Sequence, residues 1–284
     1  MAINLHRAGY RLRVHTRSRR AESAAGLRAP GDHAVTRCRS AAEAVDGCRA
    51  LLLCVSDDDA VRNVLWGESG AGPTLSAGSV VIDCSTIAPA TAEAMAQQLA
   101  AQGVHYIDAP VTGGTEGAAA GSLTVLCGGD QDVLEVIRPI LDTIGGSIHH
   151  FGAVGSGQKV KAVNQVLVAG SYAAVAEAIA LGQHLQLPMN QVVSALQQGA
   201  AGSWALQHRA AAMLADDYPL GFKVQLHHKD LGIALQAAEE QQLELPITHL
   251  VHDQEFDLMQ QGLGNADVSA LRRCYPAQTD QGLS

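Results

Sequence analysis

Long uninterrupted apolar runs are missing from these 284 residues. None reaches the ~18 residues of a membrane-spanning helix, so the pattern predicts a cytoplasmic chain with no membrane partner. Cysteine is sparse and unpatterned. Cys38, Cys48, Cys54, Cys84, Cys127 and Cys274 show no C-x-x-C spacing, which excludes a zinc ribbon and a secreted disulfide scaffold and predicts reduced thiols. No G-x-S-x-G elbow occurs. Gly152 and Gly157 have P-loop spacing, yet Gln158 stands where that loop needs lysine. Charged residues make up 17% of the chain and carry a formal net charge of -9, which argues against generic nucleic-acid binding. Hydrophobic residues make up 47%, enough for a sizeable core and two domains at this length.

Metal-ligand spacing is also absent. His149-His150 and His227-His228 are adjacent pairs rather than i, i+4 pairs on a helix. Asp57-Asp58-Asp59 follows a strand pattern and precedes a helical one. Ser56 or Asp57 there caps free amides, and the acids suit the helix dipole.

What is present divides into two patterns. Strand candidates Leu12–Thr16, Ala50–Val55, Ser79–Asp83, His105–Ala109 and Ser122–Cys127 alternate with helical stretches such as Asp58–Leu65 and Ala90–Gln102. This alternation predicts a Rossmann-like parallel sheet with covering helices over residues 1–152. Met1 to Gly9 reads as the tail of a helix ended by glycine. Beyond Gly157 the strand signals stop, and helices are predicted at Gln158–Leu185, Met189–Gln198, Ser203–Asp216, Lys229–Glu240 and Ile247–Gln261. The fold class is therefore α/β followed by all-α, with a helical substrate and dimerisation domain over 153–284. The first of these helices is apolar on too many faces for one small domain, which predicts a homodimer or homotetramer.

Chemistry concentrates at Gly155-Ser156-Gly157-Gln158-Lys159-Val160-Lys161-Ala162-Val163-Asn164-Gln165. A glycine pair opens a helix on which Lys161 and Asn164, three residues apart, share a face. Lys161 is either a lysine snorkelling from an amphipathic surface or a proton donor beside an orienting amide. Upstream, Thr112-Gly113-Gly114 follows a strand, where consecutive amides without side chains suit a carboxylate; a tight structural turn explains the same residues.

Together, Asp108-Ala109-Pro110-Val111-Thr112-Gly113-Gly114 and the Gly155–Asn164 segment resemble the β-hydroxyacid dehydrogenase family, whose pattern is D-A-P-V-S-G-G, then G-x-G-x-x-x-K-x-x-N. Thr112 replaces the serine. Asp83-Cys84-Ser85-Thr86-Ile87, Gly221-Phe222 before His228-Lys229-Asp230-Leu231, and Asp267-Val268-Ser269-Ala270-Leu271 extend the match over nearly the whole chain. The resemblance implies a nicotinamide-dependent oxidoreductase of small aldehyde or 3-hydroxy acids. It implies Lys161 as the proton donor, with Thr112, Gly113, Gly114 and Asn164 binding the acid. Thr86 is implied near the nicotinamide ribose and Lys229 facing the nicotinamide. Taken alone, Thr86 suits a helix cap and Lys229 a surface cation.

Gln165, Ala201-Gly202-Ser203 and Leu226–Leu231 are similar to the tartronate semialdehyde reductase branch, which makes 2-hydroxy-3-oxopropionate the leading substrate. Imine-reducing relatives usually lack the lysine, so Lys161 favours a carbonyl substrate. Val55-Ser56, where the family often has leucine-proline, is a departure.

Residues 1–40 hold nine arginines against Glu22 and Asp32, a composition shared with mitochondrial transit peptides. Arg17 follows the Leu12–Thr16 strand, where an acid would take the ribose of NAD; arginine suits the 2′-phosphate of NADP, with NAD the second choice. Arg19 and Arg20 either join it or are solvated. No G-x-G-x-x-G turn precedes the first helix, and the family's M-A-x-N-L-x-x-A-G matches Met1–Gly9. The expectation is a chain starting just past the first strand and phosphate-binding loop, with weak NADPH binding. A non-catalytic remnant binding an acid or a partner is the alternative.

Overall fold

A computed structural model of the chain describes residues 1–17 and 35–276; Arg19 and Arg20 lie outside them. Two compact units are present, Met1–Lys161 and Ala162–Ser284, dividing inside one long helix.

The first unit opens with α1 (Ala2–Arg7) and β1 (Leu12–Val14), which pairs in parallel with β2 (Val35–Arg37). After α2 (Ala41–Val45), the elements β3 (Ala50–Leu53), α3 (Asp58–Trp66), β4 (Val80–Asp83), α4 (Pro89–Ala100) and β5 (His105–Asp108) alternate. The strands β3, β4 and β5 form a parallel sheet in that order. Next come β6 (Val111–Thr112), α5 (Gly114–Ala120), β7 (Leu123–Cys127), α6 (Gln131–Leu141) and β8 (Gly145–His150). They give a third sheet, β6-β7-β8, antiparallel at its first pair. The unit is Rossmann-like, as expected, and among the described residues its strands form three short sheets rather than one.

Among the described elements, four without an apolar period escaped the sequence reading. Strand β6 has only two residues, β8 begins Gly-Gly-Ser, α5 is built of glycine and alanine beside polar residues, and β2 carries threonine and arginine on an exposed strand. None has an apolar period to read. Strand β4, by contrast, is buried on both faces. Val81 packs with Leu65, Met95 and Leu99, and Ile82 packs with Ile107, Val125 and Leu134. Asp57 caps α3 by accepting from Ala60 N at 2.7 Å, so the acidic triplet is a cap.

Asp108 is the junction of the unit. Its backbone exchanges two hydrogen bonds with Gly128, joining β5 to the β7 side. Its buried carboxylate accepts from Gly155 N at 2.8 Å and Gln158 N at 2.9 Å, at the start of α7 (Ser156–His184). Gly157 permits this approach, because a Cβ there would lie 2.2 Å from Leu126 O and 2.8 Å from Asp108 Oδ2. Gln158 then reaches back, donating to Ser85 O at 2.8 Å and accepting from Ile87 N at 3.2 Å.

The second unit is helical: α7 from Ala162, α8 (Met189–Leu196), α9 (Trp204–Ala215), α10 (Val224–Glu239), α11 (Pro246–Gln260) and a 3-10 turn (Val268–Cys274). Its core gathers Ala169, Tyr172, Ala176 and Ile179 of α7 with Met213, Leu231, Val251, Leu258 and Leu271. By length and composition α7 would suit a bilayer, but these residues are core. Helix α10 starts at Val224, five residues before the expected Lys229, so Lys229 lies in its second turn. Asp267 explains the early start. It accepts from Gly221 N and Phe222 N at 3.0 and 2.8 Å and from Ser269 N and Oγ at 3.0 and 2.7 Å, fixing the chain just before α10.

Asp83, the register partner of Asp108 on β4, is fully buried and accepts from Tyr106 Oη at 2.7 Å and Ser85 N at 2.9 Å. Burial raises its carboxyl from an ordinary 3.8 to about 6, outweighing those hydrogen bonds. The folded state therefore binds this proton more tightly than the unfolded chain. Below the unfolded value the carboxyl is neutral in both states; above about 6 the folded state bears the full cost of ionisation. Asp83 should thus take about 3 kcal/mol from stability as pH rises from about 4 to about 6. Urea titrations across that range should show the loss in the parent and not in Asp83→Asn; identical pH profiles would remove Asp83 as its source.

Candidate active site

Lys161 lies one turn beyond Gln158 on α7, is buried at 7% exposure, and donates from Nζ to Val111 O at 3.0 Å. The acceptor belongs to the residue before Thr112-Gly113-Gly114. Thr112 is half-buried and pairs with Thr124 of β7, while Gly113 and Gly114 are exposed. Their φ angles of 126° and 66° lie in the region that favours glycine. Within the first unit the chain thus brings together Lys161 and the Thr112–Gly114 turn, two segments ~50 positions apart. The surface-lysine alternative does not describe Lys161.

Two residues expected on the cofactor side belong to the same unit. Thr86 is half-buried in the loop after β4, between Ser85 and Ile87, both held by Gln158. It does not cap α4, whose N-cap is Ala88; Ser85 Oγ instead accepts from Val55 N at 3.0 Å. Arg17 is exposed, just past the C-terminal end of β1. Both residues lie past the carboxyl ends of strands, Arg17 after β1 and Thr86 after β4.

In the second unit Asn164 Nδ2 donates to Gln165 Oε1 at 2.7 Å. Gln165 Nε2 donates to Asp230 Oδ2 at 2.6 Å, and Lys229 Nζ lies 2.7 Å from Asp230 Oδ1. Asn164 and Lys229, both expected site residues, are therefore tied to one buried carboxylate, Asn164 through Gln165 and Lys229 directly. The Lys229 side chain is 24% exposed and ion-paired, which departs from a solvated surface cation. Sequence reasoning missed Asp230 and its partner role, and also the neighbouring pair His227–Glu255. There Nδ1 meets Oε1 at 2.6 Å with both side chains fully buried, and burial pushes the Glu255 carboxyl up. An acid on α11 exposes no pairing signal to a histidine 28 residues away.

Comparison with known proteins identifies the family. Residues 1–152 match the family described as NAD binding domain of 6-phosphogluconate dehydrogenase. Residues 155–275 match NAD-binding of NADP-dependent 3-hydroxyisobutyrate dehydrogenase. The chain is 35% identical to 2-hydroxy-3-oxopropionate reductase of Escherichia coli, over 100% of this chain and 95% of that protein. It is 33% identical to 2-(hydroxymethyl)glutarate dehydrogenase of Eubacterium barkeri, over 100% and 93%. The crystal structure of 3-hydroxyisobutyrate dehydrogenase from Salmonella typhimurium superposes with a TM-score of 0.85 at 28% identity, covering 96% of this chain and 94% of that one. Fold and matches define an NAD(P)-dependent oxidoreductase acting on the CH–OH group of hydroxy acids. The chain belongs to the β-hydroxyacid dehydrogenase family.

Proposed function

We propose that this chain reduces a small aldehyde or keto acid to the hydroxy acid with NADPH in the cytoplasm. The leading substrate is 2-hydroxy-3-oxopropionate; 3-hydroxyisobutyrate or another 3-hydroxy acid, run oxidatively, is the second choice. One observation carries the reading: buried Lys161 Nζ lies 3.0 Å from Val111 O, one residue before the Thr112–Gly114 turn. The substrate choice is supported by the Escherichia coli relative of that name and by Gln165.

Thr112, Gly113 and Gly114 take the substrate carboxylate through the turn. Asn164 orients the carbonyl. Arg17 takes the 2′-phosphate, Thr86 the nicotinamide ribose, and Lys229 faces the nicotinamide. When bound, the reduced cofactor supplies a hydride to the carbonyl carbon. Lys161 donates its proton to the oxygen on which negative charge develops, as general acid and electrostatic stabiliser. In the oxidative direction its neutral amine accepts that proton.

The assembly is a homodimer, or a homotetramer built from it, through the outer face of α7. Val163, Leu167 and Leu181 are 63, 70 and 60% exposed there, and Leu185, just past the end of the helix, is 61% exposed. Exposed Ala174 and Ala178 continue the same stripe at spacings of three and four. Burying such a face on a second copy removes it from water.

Three measurements test these statements. Lys161→Ala should lower kcat by about 10²–10⁴ while NADPH affinity is kept, the range for general acid catalysis; near-parental turnover would rule Lys161 out. Arg17→Asp should weaken NADPH by about 1.5–3 kcal/mol and NADH far less. Equal losses for both would remove Arg17 from the cofactor site. Leu167→Glu with Leu181→Glu should halve the sedimenting mass, and an unchanged mass would discard this face.

A further inference from the structure

Asp230 presents two oxygens to two different donors. Oδ2 takes Gln165 Nε2 at 2.6 Å and Oδ1 takes Lys229 Nζ at 2.7 Å, with the Asp230 side chain 4% exposed. A carboxylate accepts only, so the Gln165 end facing it must be the amide nitrogen. That places Gln165 Oε1 on the other side, where it takes Asn164 Nδ2 at 2.7 Å. The Asn164 end facing Gln165 must in turn be its nitrogen, and its oxygen is turned away. One carboxylate thereby decides the orientation of two amides in series.

We infer that Asp230 is a positioning residue that acts through Gln165 to fix which end of the Asn164 amide meets the substrate. The inference rests on the role given to Asn164 above. Aspartate is needed because asparagine offers one oxygen where two donors require one each. If the amide introduced by Asp230→Asn turned that oxygen to Lys229, its nitrogen would face Gln165, which would flip and present nitrogen to Asn164. Asn164 would then turn its oxygen inward. The hydrogen bonds do not resist this reversal, since the two amide bonds survive with their direction changed and Lys229 keeps an oxygen acceptor, although its ion pair is lost. Catalysis does, because the carbonyl meets the wrong end of Asn164.

The test is a double-mutant cycle on the full chain with NADPH, using whichever of 2-hydroxy-3-oxopropionate and 3-hydroxyisobutyrate it turns over faster. Asp230→Asn should lower kcat about tenfold, as coupled neighbours do. In an Asn164→Ala background the same substitution should change kcat less than twofold. Gln165→Met, which cuts the link at nearly constant length, should reproduce the loss and likewise silence Asp230→Asn. Multiplying losses, or a parental kcat in Gln165→Met, overturns the inference alone. A parental kcat in Asn164→Ala overturns the reading of Asn164 and the inference with it. A readout independent of activity is hydrogen exchange of the Asn164 side-chain amide in cofactor-free protein, whose nitrogen is bonded to Gln165 in the parent and turned away after the reversal. It should be slow in the parent and faster in Asp230→Asn; equal rates overturn the relay whatever the kinetics.

Discussion

The carboxylate of Asp108 holds the first unit to the start of α7, and most of the candidate site hangs from it. Two buried N–H groups, of Gly155 and Gln158, end on its two oxygens. Both belong to the stretch where a helix has unpaired donors and a partial positive charge, so an anion there satisfies two needs at once. Burial alone pushes the Asp108 carboxyl up, and the backbone donors around it act in the opposite direction. Without those donors the ionised group would be too costly to bury. The bond pair also sets the azimuth of the opening turn of α7. Once Gln158 N is fixed on Asp108, Lys161 follows one turn later and reaches Val111 O.

The helical unit solves its buried charges differently. Asp267 receives three N–H groups and a hydroxyl, and Arg209 Nε lies 3.5 Å away, so the segment before α10 and the 3-10 turn are held by one side chain. Asp230 is shared between an amide and an ammonium. Glu255 has His227 against it, and burial pushes its carboxyl up although His227 acts in the opposite direction. The three acids form a series in donor number. The best-supplied one shapes the backbone, and the shared one directs side chains.

How much of this was legible follows from the range of each interaction. Strands β3, β4 and β7 are β-branched or leucine-rich runs, β5 carries Tyr106 and Ile107, and their pattern is local, so they stood out within a residue or two of their ends. Helix α7 was legible for the same reason, and so was the shared face of Lys161 and Asn164. The early start of α10 was not, because it depends on Asp267, more than forty positions downstream. The relay through Asp230 spans 65 positions and the bonds to Asp108 span 47 and 50. Neither leaves a periodic trace. Arg17 was singled out by its position after a strand, and that position is what the fold gives it.

The motif D-A-P-V-T-G-G is one physical unit rather than a string of separate roles. Its first residue anchors α7. Pro110 has no N–H to satisfy, and its carbonyl takes Leu126 N at 2.9 Å. Val111 and Thr112 then pair with Val125 and Thr124 as β6. The carbonyl that receives Lys161 is therefore fixed by a strand ladder, and the lysine that reaches it is fixed by a helix held on Asp108. Both ends of the bond trace back to the same seven residues, and the glycine turn begins where the ladder stops. A shift of Asp108 would move the lysine and its acceptor together, which keeps their distance but not their place relative to Thr86. The geometry between Lys161 and the Thr112–Gly114 turn is thus set within the motif. The geometry toward the loop after β4 is set by Gln158, whose two side-chain bonds reach Ser85 and Ile87 on either side of Thr86.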